Sequence, residues 1–327
     1  WGKMTHSKLS DKNYSFSPEY RKQKGFVFFL RATAAVTIIT ILFQIIDIEK
    51  VRTELSQANW TWIIYALAIT CLSPLLAAIR LKHFLTTMGV SLSHNLCLKV
   101  SLLGLSLNLL IPARGGDLAK LALLKNDLPN LPLQTLISTA LLERGFDILA
   151  LGLIGLTSGL IIQAPEAAII AGIVASIAAI GLAVLPLAES LPVVGKKLRP
   201  IAQNIAIAYK YKKTLLYAFL TAVFFWILVS SIMGCLLKAF DPNITFLHSF
   251  AVTPPSIFAG LVPVSLWGVG TRDGALAYFL QGITTPEIAI SAGFLYTALV
   301  YWLLGLIGTP FLLFARRNQK GSTPIQN

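Results

Sequence analysis

The chain has 327 residues, 55% of them hydrophobic and 13% charged, with a mean hydropathy of +0.72 and a formal net charge of +13. A soluble domain carries about 25% charged residues, and one soluble core cannot hide so many apolar runs of about 20 residues. A water-soluble enzyme is therefore excluded, and continuous apolar runs in place of alternation exclude an outer-membrane barrel. The predicted class is an all-α polytopic membrane protein. Cys71, Cys97 and Cys235 lie in apolar stretches without a CxxC spacing and read as small buried hydrophobes.

Residues 1–25 are polar and basic, and Trp1-Gly2-Lys3 ahead of Met4 reads as an artificial extension. The predicted elements then follow in order. Phe26–Ile46 is a first span, interrupted only by Arg31. Trp60–Ile79 is a second, opened by Trp60 and Trp62 at interfacial depth. Leu96–Leu124 is apolar but broken by Asn108, Pro112, Arg114, Gly115, Gly116 and Asp117. Leu133–Ile162 is a long span holding Glu143, Arg144 and Asp147, and Ala167–Ala188 and Leu215–Leu237 are further spans. Phe246–Gly282 is broken by Pro254, Pro255, Pro263, Gly268, Gly270, Arg272 and Asp273, and Ile290–Ala315 is the last span. Six full spans and two broken stretches thus make one membrane domain over 26–316, followed by a tail over 317–327.

Charge decides how the broken stretches insert. If each dips in and returns on one side, seventeen Lys and Arg fall on one face, in the N-terminal segment, at Arg80 and Lys82, in Lys196–Lys213 and after Ala315. The other face receives three, Lys50, Arg52 and Lys238. By the positive-inside rule both termini are then cytoplasmic, and the basic excess needs no nucleic acid. The first broken stretch enters from the cytoplasm and the second from outside. Residues 60–162 and 215–315, joined by 163–214, form the same span, hairpin, span unit in opposite orientations. That is an inverted-topology repeat with two re-entrant hairpins, a plan suited to alternating access.

Broken backbone and charge at membrane depth persist only when buried in protein or lining a wet cavity. Three places meet that description. In Asn108–Lys120, Pro112 stops the incoming half-helix, Gly115 and Gly116 permit a tight turn, and Asp117 suits the positive end of the next half-helix. Arg114 beside helix N–H groups suits a phosphate; a cytoplasmic loop with Arg114 reaching lipid phosphates is the competing reading. In Pro263–Gly274, a Gly-rich turn with Gly268, Gly270 and Gly274 holds Arg272 and Asp273. These two bind an anion or tie up the turn as a local pair. In the long span, Glu143 and Asp147 are four residues apart and share a face, and Arg144 reaches Asp147 at three. They read as an internal salt bridge, as a proton- or cation-binding carboxylate pair, or as counter-ions for Arg114 and Arg272. Arg31 and Arg80, one turn from span ends, are expected to snorkel. His83, His94 and His248 show no metal spacing, so no metal or cofactor is expected. Lys196-Lys197 and Lys210–Lys213 suit anionic lipid.

Asn108…Pro112-x-Arg114-Gly115-Gly116-Asp117, then Glu143-Arg144-x-x-Asp147, then Pro263…Gly268-x-Gly270-x-Arg272-Asp273 resembles the flippase-like family, the transmembrane region of lysylphosphatidylglycerol synthases and its stand-alone relatives. Asp117 and Asp273 stand where that pattern more often has Glu. The resemblance covers nearly the whole chain after Met4 and implies movement of a polar-headed lipid. No soluble aminoacyl-transferring domain follows Ala315, so synthesis of the lipid is not expected.

Three functions are weighed. The first is a flippase for a lipid with an anionic phosphate head, either a phospholipid or a polyprenyl-phosphate. Arg114, Arg272, Asn108, Asp117, Asp273, Gly115, Gly116 and Gly270 would form its substrate site, and Glu143, Arg144 and Asp147 its charge network. The second is a secondary transporter of a small solute coupled to protons or cations. The third is an intramembrane transferase on a lipid phosphate, which would need acidic motifs on a cytoplasmic loop where only Glu189 is found. No ATP-binding motif occurs, and the expectation is a transporter of the cytoplasmic membrane with no enzymatic activity.

Overall fold

A computed structural model describes residues 53, 56–111, 115–128, 130–189, 198–262 and 267–311. These residues form helices and turns, with no strand among them. The predicted first span Phe26–Ile46, the C-terminal tail, and Pro112, Arg114 and Pro263 lie outside the described residues.

The helices are α1 (Trp60–Thr87), α2 (His94–Leu110), α3 (Gly116–Asp127), α4 (Leu133–Ile161), α5 (Pro165–Val184), α6 (Arg199–Lys210), α7 (Lys212–Phe240), α8 (Phe246–Gly260), α9 (Thr271–Phe279) and α10 (Pro286–Thr297). A 3₁₀ turn (Leu185–Glu189) extends α5. A π-helical stretch (Ala298–Leu303) carries α10 on to Phe311. Five of these helices are long and apolar enough to cross a membrane: Trp60–Thr87, Leu133–Ile161, Pro165–Leu187, Lys212–Phe240 and Pro286–Phe311. They fall on the five whole spans predicted after Phe26–Ile46.

Local chemistry sets several boundaries. Asn59, Ser93, Thr245 and Thr285 cap α1, α2, α8 and α10 with side-chain oxygens that accept backbone N–H groups. At α8 the cap is reciprocal, since His248 Nδ1 accepts the Thr245 N–H. The end of α1 departs from the sequence expectation. The apolar window closes at Ile79, but nothing breaks the helix until Gly89, whose φ is +74°. The helix therefore runs two more turns, and Arg80 becomes an interior residue.

Both broken stretches are helix pairs. α2 and α3 run antiparallel: Gly116 lies against the backbone of Asn108, Leu107 and Gly104, and Lys120 lies against Gly104. α8 and α9 pack together where Gly260 meets Arg272. Pro254 and Pro255 do not cause the second break, as the sequence suggests; they lie inside α8, and the chain turns after Gly260. Gly155 of α4 accommodates Pro254, because a Cβ there would stand 2.9 Å from Pro254 Cβ and 2.8 Å from Ala171 Cβ.

The order span, broken pair, span occurs twice, as α1 to α4 and as α7 to α10. The two units meet along α1 against α7 and along α4 against α8. α5 packs on α4 through a seam in which Gly152, Gly155 and Gly159 face Ala175, Ala171 and Ala168. The core between the units is aromatic, with Phe84, Phe146 and Phe219 stacked at 5.7 and 5.6 Å between centroids. α6 is amphipathic. Its Ala202, Ile205 and Ala208 are buried, and it is tied to the bundle by Tyr209 Oη donating to Leu182 O and Ser138 Oγ donating to Ile201 O.

Candidate functional site

The carboxylates of α4 are the centre of a buried ionic cluster. Glu143 and Asp147, one turn apart, face α1 as a pair. Arg80 spans them: Nη2 donates to Glu143 Oε1 at 2.9 Å and Nη1 to Asp147 Oδ1 at 2.6 Å. The Arg80 guanidinium also lies 4.2 Å from the centroid of the Phe225 ring on α7, a cation–π contact. From α3, Lys120 Nζ donates to Glu143 Oε1 at 3.1 Å. All four charged side chains are 4% exposed or less. Two cations thus meet two carboxylates, each hydrogen-bonded, which is the condition under which buried charge is tolerated.

A second pair stands at the edge of this quartet. Arg144 Nη2 lies 3.1 Å from Asp117 Oδ2 of α3, with Asp147 Oδ2 at 3.6 Å and Glu143 Oε1 at 3.8 Å. Asp117 Oδ1 also accepts from Asn108 Nδ2 of α2 at 3.3 Å. Unlike the quartet, these side chains are accessible, Arg144 being 29% and Asp117 16% exposed. Arg144 is eleven residues into α4, about 17 Å along it at 1.5 Å per residue. A charge exposed at that depth of a spanning helix must face a wet or headgroup-lined opening, because hydrocarbon would not hold it.

The second broken stretch holds a separate charge pair. Gly270, at φ +92°, caps α9, and Arg272 and Asp273 occupy its first turn. Arg272 is 2% exposed; it donates to Asp273 Oδ1, to the Gly293 carbonyl at 2.6 Å and to Thr297 Oγ1 at 2.8 Å, and it lies over the Tyr296 ring. Gly293 is required here, since a Cβ would collide with the Asp273 carboxylate. This pair ties α9 to α10.

The predicted residues therefore separate into two groups. Asn108, Asp117, Glu143, Arg144 and Asp147 come together with the hairpin turn at Gly115 and Gly116. Gly270, Arg272 and Asp273 form the other group. Arg114 lies outside the described residues. The counter-ions of Glu143 and Asp147 include Arg80 and Lys120, neither of which the sequence marks as their partner. Arg80 does not snorkel: the longer α1 buries it. A signal was present in the stretch after Pro74, which has no Gly or Pro before Gly89 and so keeps Arg80 inside the helix. No cluster of three or more His, Cys, Asp or Glu suited to a metal occurs among the described residues.

An all-helical bundle with several apolar spans and ion pairs at membrane depth defines a polytopic membrane protein built around intramembrane polar sites. Residues 28–308 match the family model described as the lysylphosphatidylglycerol synthase TM region, and the chain belongs to that family. No curated protein matches the sequence.

Proposed function

We propose that this protein carries a lipid with a phosphate headgroup across the cytoplasmic membrane by alternating access, without catalysis. The observation that carries the reading is the partly exposed Arg144–Asp117 pair at mid-span, adjoining a neutral, fully buried ionic quartet. A lipid flippase needs such a polar lateral opening, because the head must cross about 30 Å of hydrocarbon while the tails stay in it. A planar guanidinium suits phosphate with two parallel hydrogen bonds.

In this reading α2–α3 and α8–α9 are re-entrant hairpins entering from opposite faces, and the two units form an inverted repeat. Both termini lie in the cytoplasm, as the charge asymmetry of the loops favours. The α2–α3 site, with Arg114, is the cytoplasmic anion position, and Arg272 with Asp273 and Gly270 is the outer one. The exposure of the two Arg–Asp pairs supports this: Arg144 and Asp117 are 29% and 16% exposed, Arg272 and Asp273 only 2% and 3%. One site open while its counterpart is closed is what one end state of alternating access requires. The hydrogen-bonded pairing of Glu143 with Arg80 and Lys120, and of Asp147 with Arg80, favours a structural role for these carboxylates over a coupling-ion site.

Lipids that co-purify with the protein, compared by mass spectrometry with the host membrane, test the proposal. Enrichment of a phospholipid or polyprenyl-phosphate lipid is expected. No enrichment, together with uptake of a water-soluble solute into liposomes, would replace it with ion-coupled solute transport.

A further inference from the structure

α7 and α8 are joined by residues 241–245 and pack antiparallel, with three hydroxyl side chains buried between them. Ser230, Ser249 and Thr253 are each 0% exposed. Ser249 Oγ donates to the Ser230 carbonyl at 2.8 Å and lies 3.2 Å from Thr253 Oγ1. A Cβ on Gly234 would stand 3.4 Å from Ser249 Cβ, so the face of α7 that carries Ser230 and Gly234 meets α8. Ser230 is one turn back from Gly234, and Thr253 is one turn on from Ser249. In an antiparallel pair that puts Ser230 level with Thr253. Ser230 Oγ is nevertheless buried with no hydrogen-bond partner among the described residues. The next two residues of α8 add further acceptors. Pro254 and Pro255 have no backbone N–H, so the carbonyls of Phe250 and Ala251 in the same turn lose the donor that a helix normally gives them.

The proton count favours a cation over a water molecule in this gap. The Ser249 proton goes to the Ser230 carbonyl, which leaves Thr253 as the donor to Ser249. Ser230 Oγ, Thr253 Oγ1 and the two freed carbonyls then hold lone pairs with a single uncommitted proton among them, that of Ser230. A water can donate to only two of these oxygens, whereas a cation is coordinated by all of them. No carboxylate belongs to the group, so a divalent ion would go uncompensated. A sodium ion is the cation that hydroxyls and carbonyls at a helix irregularity hold inside a membrane. We propose that Ser230, Thr253 and the carbonyls of Phe250 and Ala251 form a site for a monovalent metal cation of sodium's class, with Ser249 positioning Thr253. A site of neutral oxygens leaves no trace in His, Cys or acid spacing, which is why the sequence shows no metal motif. The cation bridges α7 to α8, the first arm of the second broken pair, and so fixes that pair against its neighbouring span. On the footing of the lipid-carrier reading it is the coupling ion, a part that the paired Glu143 and Asp147 do not supply.

The test is equilibrium binding of radioactive sodium to the purified full chain, with thermal melts in sodium chloride and in choline chloride at equal ionic strength. The wild type is expected to bind sodium saturably and to melt at a higher temperature in sodium than in choline. Thr253→Val keeps the branched shape without the hydroxyl and is expected to weaken sodium binding at least about tenfold, the usual worth of one polar contact to a charge. Ser230→Ala is expected to do the same, and Thr253→Ser to keep the binding. Ser256→Ala is the control, because Ser256 Oγ is spent on the Val252 carbonyl of its own helix; it is expected to bind sodium as the wild type does. The melt in choline identifies the variants that fold. A wild type without saturable sodium binding means that water fills the gap and overturns the site. A folded Thr253→Val or Ser230→Ala with the wild-type affinity overturns it as well. Co-purifying lipid is a separate readout. Sodium binding without any enriched phosphate lipid keeps the cation site and removes its part in lipid transport, whereas enriched lipid without sodium binding removes the site and leaves the carrier reading standing.

Discussion

Removing the Arg80 guanidinium would leave Glu143 and Asp147 buried with Lys120 as their only hydrogen-bonded cation of the quartet. Breaking a buried pair from one side costs about 3–5 kcal/mol, because the remaining charge loses its hydrogen-bonded counter-ion without regaining water. Arg80→Gln is therefore expected to lower the melting temperature in detergent strongly. Arg144→Gln is expected to do so much less, because Arg144 is 29% exposed and water shares its charge. Equal melting temperatures for the two variants would contradict this division between quartet and edge. From sequence alone Arg144 was the natural partner for Asp147, at three residues along one helix, and that contact does exist at 3.6 Å. The stronger partner, Arg80, came from a helix 67 residues away in sequence. Periodicity within one helix showed that Glu143 and Asp147 share a face; it could not show which helix that face meets. The reading of Arg272 and Asp273 as a local pair was legible because both partners are adjacent. Their ties to Gly293 and Thr297 were not, because those depend on how α9 docks on α10.

Helix packing here rests on small residues at the points of closest approach. Gly155 lies where α4 meets both Ala171 of α5 and Pro254 of α8. Gly155→Val would force these helices apart, and overpacking of this kind costs about 1–3 kcal/mol. A clear loss of thermal stability is expected for Gly155→Val. Gly181→Val on α5 is expected to cost little, since a Cβ there meets nothing within 4 Å. Similar losses for both would mean that helix propensity, and not the three-helix contact, governs the result. The five helices long enough to span, and the two breaks between helices, were visible in hydropathy and in Gly and Pro content, which are properties of contiguous sequence. The exact break in the second stretch was not, because Pro254 and Pro255 stay inside α8, where Pro254 packs on Gly155 of a helix about a hundred residues earlier in the chain.

The two units of the bundle carry the functional account, since a two-sided path needs two hairpins of opposite insertion. Single cysteines at Asn130, after the first hairpin, and at Asn243, before the second, are both at exposed positions. In intact cells they are expected to react with a membrane-impermeant thiol reagent on opposite faces, Asn243→Cys from outside and Asn130→Cys only after permeabilisation. Labelling of both from outside would overturn the inverted repeat. The most direct measurement of the central claim is translocation itself, in liposomes of defined lipid containing the purified protein and a trace of acyl-labelled phospholipid quenched from outside. The account predicts that the wild type exposes the inner-leaflet label faster than protein-free liposomes, and that a folded Arg144→Gln variant does so at least about tenfold more slowly than the wild type, the loss expected when a charged hydrogen bond to the headgroup is removed. A wild type no faster than protein-free liposomes, or an Arg144→Gln variant as fast as the wild type, would contradict it.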